Sequence, residues 1–205
     1  SYMRTIAVAP SNSNYIYIGY SNDAYYTTNG GGSWEKINGI SAFIQDIIVH
    51  PTDPSRAFIS FGGFSPSAKV FEINDGQITN LTKAGLPNVP ANALVYQPGV
   101  LNRLYVGTDE GVFFLDEDTE VWEPYGRGMP TTMISDMELI EPSNTLRVST
   151  YGRGIWEVEA IQCLADAPSV SVSGPEAACQ GDTITLVASD GYDRYIWSNG
   201  QSGQT

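Results

Sequence analysis

The stretch Ile6-Ala7-Val8-Ala9-Pro10, followed after a polar turn by Tyr15-Ile16-Tyr17-Ile18-Gly19, has three further counterparts along the chain. Each copy is an apolar strand, a proline with a polar turn, and a second strand. The prolines stand at positions 10, 51, 98 and 142, so successive copies are 41, 47 and 44 residues apart. Proline fits the end of a strand but not its middle, because it cannot donate a ladder hydrogen bond. The sequence therefore predicts four copies of one β unit.

Each copy continues with a third strand, and the first three copies add a fourth at positions 34–37, 78–81 and 121–124. A period in the low forties with strands throughout is typical of β-propeller blades. We predict an all-β chain whose residues 1–161 form the C-terminal part of a β-propeller, with about three and three-quarter four-stranded blades. The repeats lie near 4–45, 46–91, 92–133 and 134–160.

Closed propellers have about four to eight blades. We therefore expect the remaining blades to come from upstream chain, from another chain or from a second copy. A four-bladed ring that this chain closes alone is the alternative.

Residues 162–205 predict a linker and the N-terminal part of an Ig-like β-sandwich. The alternating segment 182–188 and the tryptophan-bearing segment 195–198 are typical of its strands. Cys163 and Cys179 both lie in this region. A single disulfide between them and two free buried thiols both remain open.

Charge and hydropathy exclude two classes of partner. The chain has 10 basic and 23 acidic residues, a formal net charge of −13 and a pI near 4.2. A nucleic-acid binder needs a basic stripe, and anionic membrane attracts basic segments. No apolar run reaches the roughly 18 residues of a membrane-spanning helix. We expect neither nucleic-acid binding nor membrane insertion.

The segment Thr27-Thr28-Asn29-Gly30-Gly31-Gly32-Ser33-Trp34 resembles the Asp-box turn of sialidase-type (BNR) repeats, with Asn29 where that family has aspartate. The resemblance implies a structural role for Thr27, Asn29, Gly31 and Trp34. The side chain at position 29 would bond backbone amides, and Trp34 would pack under the blade. A calcium or sugar role for Asn29 is the alternative.

An acidic turn, Asp116-Glu117-Asp118-Thr119-Glu120, occupies the corresponding place in the third repeat. Clustered carboxylates are ligands that calcium prefers. Calcium binding and a solvated acidic turn are the two hypotheses here. We expect no other cofactor and no metal site, because the two cysteines and the histidine match no metal-binding spacing.

Two longer stretches resemble the closing blades of BNR-like, sortilin-like propellers in large exported bacterial surface proteins. In the first, Leu86–Pro90 leads to Leu104–Phe113, and in the second, Ile134–Leu139 leads to Leu146–Glu157. In those proteins an Ig-like or PKD-like domain follows, and a type IX secretion sorting domain commonly ends the chain. Segments 179–186 and 195–200 are similar to the start of such a domain. The resemblance implies a secreted or cell-surface bacterial protein.

In such propellers the binding face is built from the turns between second and third strands and between fourth and first strands. Acids, arginine and tyrosine in these turns suit carbohydrate, because they accept sugar hydroxyls, hold acidic groups and stack on rings. The candidate ligand-binding residues are Asp23, Asp109, Glu110, Arg127, Tyr151 and Arg153. Asp23, Asp109 and Asp136 are the candidate catalytic carboxylates. His50, the single histidine, is interpreted as structural.

The leading functional hypothesis is a binding or scaffold module that recognises polysaccharide or a surface protein on the propeller face. The first alternative is part of a secreted glycoside hydrolase, similar to Asp-box xyloglucanases, which would use paired carboxylates. The second alternative is a purely structural repeat of a surface filament. The sequence leaves open whether the protein is an enzyme.

Overall fold

A computed structural model describes residues 3–99, 102–126, 128–141, 143–160, 170–173 and 185–188. The chain divides into two compact units, Ser1–Ile161 and Gln162–Thr205. All regular elements in the described ranges are β-strands. Within these ranges, no helix is long and apolar enough to cross a membrane.

The first unit contains three four-stranded antiparallel sheets and one three-stranded sheet, which we number as blades 1 to 4. In each sheet the spatial order of the strands follows the chain order. Blade 1 contains β1 (Met3–Val8), β2 (Ile16–Tyr20), β3 (Asp23–Thr27) and β4 (Glu35–Ile37). Blade 2 contains β5 (Ile44–Val49), β6 (Arg56–Phe61), β7 (Val70–Asn74) and β8 (Gln77–Asn80), and blade 3 contains β9 (Ala91–Gln97), β10 (Arg103–Thr108), β11 (Gly111–Asp116) and β12 (Glu123–Tyr125). Blade 4 contains β13 (Ile134–Ile140), β14 (Thr145–Thr150) and β15 (Gly154–Glu159). The predicted all-β fold and partial propeller are confirmed.

Neighbouring blades pack face to face through their first strands, which we call inner strands. β1 lies beside β5, β5 beside β9, and β9 beside β13. Each of the three interfaces contains a buried apolar cluster, and the largest side chains of these clusters include Tyr17, Trp122 and Tyr105 respectively. A fully buried large apolar side chain contributes about 1.5–3 kcal/mol, so these interfaces stabilise the stack of blades.

Every inner strand carries a register shift at its start, where one extra residue leaves the ladder. The shifts fall between Met3 and Thr5, between Ile44 and Asp46, opposite the Gly107–Thr108 step in blade 3, and between Ile134 and Asp136. The extra residues are Arg4, Gln45, Asn92 and Ser135. A bulge re-aims the extra side chain, so the same position in four blades can face one space.

The second unit has an antiparallel pair, β16 (Val170–Ser173) and β17 (Thr185–Ala188), with Val170 opposite Ala188. The other predicted features of this unit, including Cys163 and Cys179, lie outside the described residues.

Two tryptophans at the same position of their blades differ in exposure. Trp34 lies just before β4 and is 41% exposed, whereas Trp122, just before β12, is 1% exposed. Trp122 is buried because the segment between β8 and β9 covers it: its indole Nε1 donates to the carbonyl of Leu81 at 2.9 Å. In the described part of the chain, no such segment covers Trp34.

Candidate functional site

A cavity of about 420 Å³ lies where the four inner strands begin, and we call it the axial mouth. It is lined by Met3, Arg4, Gln45, Asn92, Met133, Ile134 and Ser135. All four bulge residues are in this lining. The turns between second and third strands lie at the same end, because the antiparallel ladder places the end of β2 beside the start of β1.

A relay of hydrogen bonds runs along the axial mouth from blade to blade. Arg4 Nη2 donates to Gln45 Oε1, and Gln45 Nε2 donates to Asn92 Oδ1 at 3.4 Å. Asn92 Nδ2 donates to Asp109 Oδ1 at 2.9 Å and to the carbonyl of Ile134 at 3.1 Å. The relay holds these polar side chains in defined orientations, so the mouth presents a preorganised polar wall.

Exposed aromatic side chains occur at the same end of the unit. Phe43 lies in the loop before β5, with Arg4 Cζ 4.8 Å from its ring centroid. Phe64, between β6 and β7, is 70% exposed, and Tyr151, between β14 and β15, is 75% exposed. The Tyr151 N–H donates to the carbonyl of Met133 in the cavity wall at 2.9 Å. Aromatic faces of this kind can stack on sugar rings.

Lys69 is a buried cation near Asp109. Its Nζ donates to the carbonyl of Gly63 at 2.8 Å. Burial lowers the pKa of Lys69, and the negative charge of Asp109 opposes that shift. The amine therefore supports the Gly62–Ser67 loop from beneath and gives Asp109 a nearby positive charge.

The predicted acids Asp109 and Asp23 lie in different surroundings. Asp109 joins the relay of the axial mouth through Asn92, and the adjacent Glu110 is exposed. Asp23 lies in the third strand of blade 1, two strands from the inner strand, and its Oδ1 is 2.6 Å from Lys36 Nζ.

The other predicted site residues belong to blade 4 and the loop before it. Asp136 follows the bulge residue Ser135, and its Oδ1 accepts the N–H of Met137 at 2.9 Å. Tyr151 and Arg153 lie in the exposed turn before β15, where the carbonyl of Arg153 accepts a bond from Trp156 Nε1 at 3.0 Å. Arg127 lies outside the described residues.

The turn between β3 and β4 is held by side-chain bonds at the opposite end of blade 1. Asn29 Oδ1 accepts from Thr27 Oγ1 at 2.8 Å and from the N–H of Ser33 at 2.9 Å. Asn29 Nδ2 donates to Ser33 Oγ at 2.9 Å, and Thr27 Oγ1 accepts the N–H of Gly31 at 3.1 Å. The side chains of Thr27 and Asn29 therefore fix this turn.

The acidic turn after β11 pairs with basic residues. The described residues contain no group of three or more His, Cys, Asp or Glu side chains that could hold a metal ion. Three acids of this turn instead form ion pairs with basic side chains. One of the basic residues lies in blade 3 itself, one in blade 2 and one in the segment that follows blade 2. The pairs are Asp116 with Arg103, Glu117 with Arg56, and Glu120 with Lys83.

His50 caps a turn at the end of β5. Its Nδ1 accepts the N–H of Asp53 at 3.1 Å, and its Nε2 lies 3.1 Å from the hydroxyl of Tyr96. Burial lowers the pKa of His50, so the neutral ring with a proton on Nε2 fits both contacts. These bonds assign His50 a structural role.

Sequence reasoning missed Arg4, Gln45 and Ser135, and it placed Asn92 in a turn of the binding face without selecting it as a ligand-binding residue. All four stand second in an inner strand, directly after an apolar first residue. The recurrence of a polar residue at this position in all four blades is the signal that identifies them.

No protein-family model matches the sequence, and no curated protein matches it either. Solved structures do resemble the chain. The GH74 enzyme of Niastella koreensis has a TM-score of 0.59 at 13% identity, over 91% of this chain and 30% of that protein. The GH74 xyloglucanase of Xanthomonas campestris has a TM-score of 0.60 at 13% identity, over 77% of this chain and 29% of that protein.

A third similar structure is the Cps50 (Swd1) β-propeller domain of Myceliophteria thermophila. Its TM-score is 0.58 at 14% identity, over 90% of this chain and 57% of that domain. The chain thus spans less than a third of the two GH74 proteins and just over half of the Swd1 domain. At this level of identity the likeness establishes the fold alone. The fold and its neighbours define the chain as part of a β-propeller.

Proposed function

We propose that this chain is a binding module that recognises carbohydrate at the axial mouth. The observation that carries the proposal is the set of four bulges, which brings polar side chains from four blades into one cavity. Ligand sites combine such convergent polar groups with apolar and aromatic walls, and Phe43, Phe64 and Tyr151 supply the aromatic part.

The chemistry of the mouth suits a polyhydroxylated ligand. The relay uses both N–H groups of Asn92 and one N–H of Gln45. The second N–H of Gln45 can donate, and Asn92 Oδ1 and the Asp109 carboxylate keep lone pairs that accept, so hydroxyl groups find partners of both kinds. Arg4 adds a planar cation suited to a carboxylate on an acidic sugar. Two of the similar structures are GH74 enzymes, one a xyloglucanase, so xyloglucan is a rational first ligand to test.

Binding is favoured over hydrolysis by the state of the carboxylates. A glycosidase needs two carboxyl groups about 5 Å or 6.5–9.5 Å apart. Asp109 is held by Asn92, Asp23 is paired with Lys36, and Asp136 accepts its neighbour's N–H. Hydrolysis remains the second candidate, with a partner carboxylate supplied by a further blade.

The test is calorimetric titration of the protein with neutral and acidic polysaccharides, xyloglucan included. We expect Phe64→Ala and Tyr151→Ala each to weaken binding at least about tenfold, since a lost stacking contact costs about 0.5–1.5 kcal/mol beyond its buried area. Trp34→Ala, which removes an exposed aromatic at the other end of blade 1, is the matched control and should leave affinity unchanged.

Three results would redirect the proposal. Affinity that is insensitive to both mouth variants places the ligand elsewhere. Release of reducing ends from xyloglucan supports the hydrolase. A failure to bind any polysaccharide favours a scaffold or filament role.

The same proposal places the module outside a bacterial cell, in a secreted or surface protein. The resemblance of the closing segment Tyr151–Glu157 to exported propeller proteins supports this location. Protease treatment of intact cells tests it: an exported module is cleaved or recovered in the medium, whereas a cytoplasmic one is fully protected.

A further inference from the structure

Blade 1 presents an exposed apolar sheet face on the side away from blade 2, which we call the free face. Ile6 is 59% exposed and Val8 50% exposed on its inner strand, and Trp34 is 41% exposed beside its outer strand. The register places these residues on one side of the sheet with half-buried apolar neighbours, and it places the Asp23–Lys36 ion pair on the same side, towards the axial mouth. Those neighbours are Ile16, Ile18 and Tyr25.

The repeat shows what covers this face elsewhere in the molecule. In blade 3 the residues at the positions of Ile6, Ile18 and Trp34 are Leu94, Val106 and Trp122. All three are buried, and they form one apolar cluster with Phe58 and Val70 of blade 2. The covering element of blade 3 is therefore the blade that precedes it.

Main-chain contacts complete that interface. The segment between β8 and β9 offers the carbonyl of Leu81 to Trp122 Nε1 at 2.9 Å and the carbonyl of Ala84 to the Trp122 N–H at 2.8 Å. In the described ranges, Trp34 Nε1 has no such partner.

We propose that the free face of blade 1 is the docking surface of a further four-stranded blade, carried by the same polypeptide ahead of β1. That blade presents an apolar face to Ile6 and Ile18. Its outer strand and the segment that leads into β1 supply a main-chain carbonyl to Trp34 Nε1, as Leu81 does for Trp122.

Blade 4 is not the occupant. The side of each blade that faces its successor carries an aromatic residue on the second strand: Tyr17 in blade 1, Phe58 in blade 2 and Tyr105 in blade 3. Register places Arg147 at this position in blade 4, between Glu138 and Glu157.

These three residues of blade 4 form an exposed ionic row. Arg147 Nη2 lies 2.7 Å from Glu157 Oε1, and Arg147 Nη1 lies 3.8 Å from Glu138 Oε2. Burying the row against Ile6 and Ile18 would desolvate three charges without new partners, which is unfavourable. The same argument excludes a second copy docked through its blade 4.

The order of the blades identifies the source. Blades 1 to 4 follow one another in space as in sequence, and the segment over Trp122 is the one that leads into its own inner strand β9. By the same geometry, the segment over Trp34 leads into β1. The chain matches 57% of the Swd1 β-propeller domain, which leaves room in a ring of that size for additional blades.

The test measures the accessibility of position 6 in the protein as its source makes it. Ile6→Cys is introduced into the genomic copy with Cys163→Ser and Cys179→Ser, and the rate of maleimide labelling is compared with that of the 205-residue chain produced alone. We expect labelling of the native protein to be at least about tenfold slower. Asp118→Cys, in the exposed acidic turn, is the matched control and should label equally in both.

Several outcomes would overturn the proposal. Equal labelling rates of Ile6→Cys in the two proteins would show that no blade covers position 6 in the native protein. A native polypeptide of 22.2 kDa, with no further repeat, would show that the chain carries no additional blade ahead of β1. Protection in the 205-residue chain that grows with its concentration, together with a doubled mass in light scattering, assigns the face to a second copy instead.

Discussion

The Asp46 carboxylate joins the inner strands of blades 2 and 3: its Oδ2 accepts the N–H of Leu94 at 2.9 Å. Its Oδ1 accepts the N–H of Ile47 at 2.8 Å. Burial raises the pKa of Asp46, although both backbone bonds favour the anion. The Asp46 carboxylate thus satisfies a backbone donor of β9 from the neighbouring sheet. The bond fixes the position of blade 3 relative to blade 2 along the direction of the inner strands.

Asp46→Asn should lower the free energy of unfolding by about 1–3 kcal/mol, because the amide nitrogen that replaces one oxygen cannot accept a buried N–H. Asp136→Asn is the control. Asp136 occupies the same position in blade 4 but is exposed, and its carboxylate accepts the N–H of Met137 within its own strand, so a change below about 0.5 kcal/mol is expected. Urea unfolding at pH 7 measures both. Equal losses would mean that the bond between blades contributes nothing.

His50 should make stability depend on pH near neutrality. Burial lowers its pKa in the folded protein, so the unfolded chain binds the proton more readily. The contribution of His50 to stability is complete above the unfolded pKa of about 6.5 and decreases as the pH falls towards the lowered folded pKa.

His50→Asn should remove this part of the pH dependence, which urea midpoints between about pH 7 and pH 5 would show. Because His50 is the single histidine, no other imidazole contributes in that range. An unchanged slope in the variant would assign the pH dependence to carboxylates.

The two tryptophans that precede outer strands should respond differently to truncation. Trp122→Phe removes the indole bond to Leu81 and leaves a small void, so we expect a loss of about 1–3 kcal/mol. Trp34→Phe in the same chain should cost less than about 0.5 kcal/mol, because Trp34 is exposed. Chemical denaturation followed by circular dichroism measures both. A large loss at Trp34 would show that its side chain is already covered.

The sequence predicted the blades well because local residue patterns mark the ends of the strands in each repeat. A proline ends the first strand, a polar turn follows, and apolar residues resume in the second strand, as at Ile6–Gly19. Such signals act over a few residues and need no tertiary information. They located the first three strands of every blade, although β4 and β12 begin one or two residues later than predicted.

The residues of the axial mouth were harder to predict from the sequence. A bulge at Gln45 or Asn92 is a property of the pairing between two strands, and single-strand periodicity does not report it. Asp109 was selected from its place in a turn, and it does join the mouth through Asn92. Asp23 was selected on the same ground, but Lys36 lies on the next strand and pairs with it.

Packing near the mouth depends on matched side-chain sizes across each blade interface. A Cβ added to Gly107 would lie 2.6 Å from Cγ2 of Ile134, and one added to Gly19 would lie 2.8 Å from Cγ2 of Ile44. In blade 2 the position of these glycines is taken by Ser60, and the following inner strand begins with the smaller Ala91. A small residue on one blade thus corresponds to a large one on the next.

Gly107→Ala should therefore destabilise the chain by about 1–3 kcal/mol through overpacking against Ile134. Combined with Ile134→Ala, it should cost less than the two single changes together, with a coupling of about 1 kcal/mol, because the added methyl fills space that the isoleucine vacates. Gly107→Ala combined with Ile44→Ala is the control pair. Those residues lie at different blade interfaces, so their effects should add. Urea unfolding of the parent chain, the three single variants and both doubles completes the cycles. Additivity in the Gly107–Ile134 pair would contradict direct packing between blades 3 and 4 at this position.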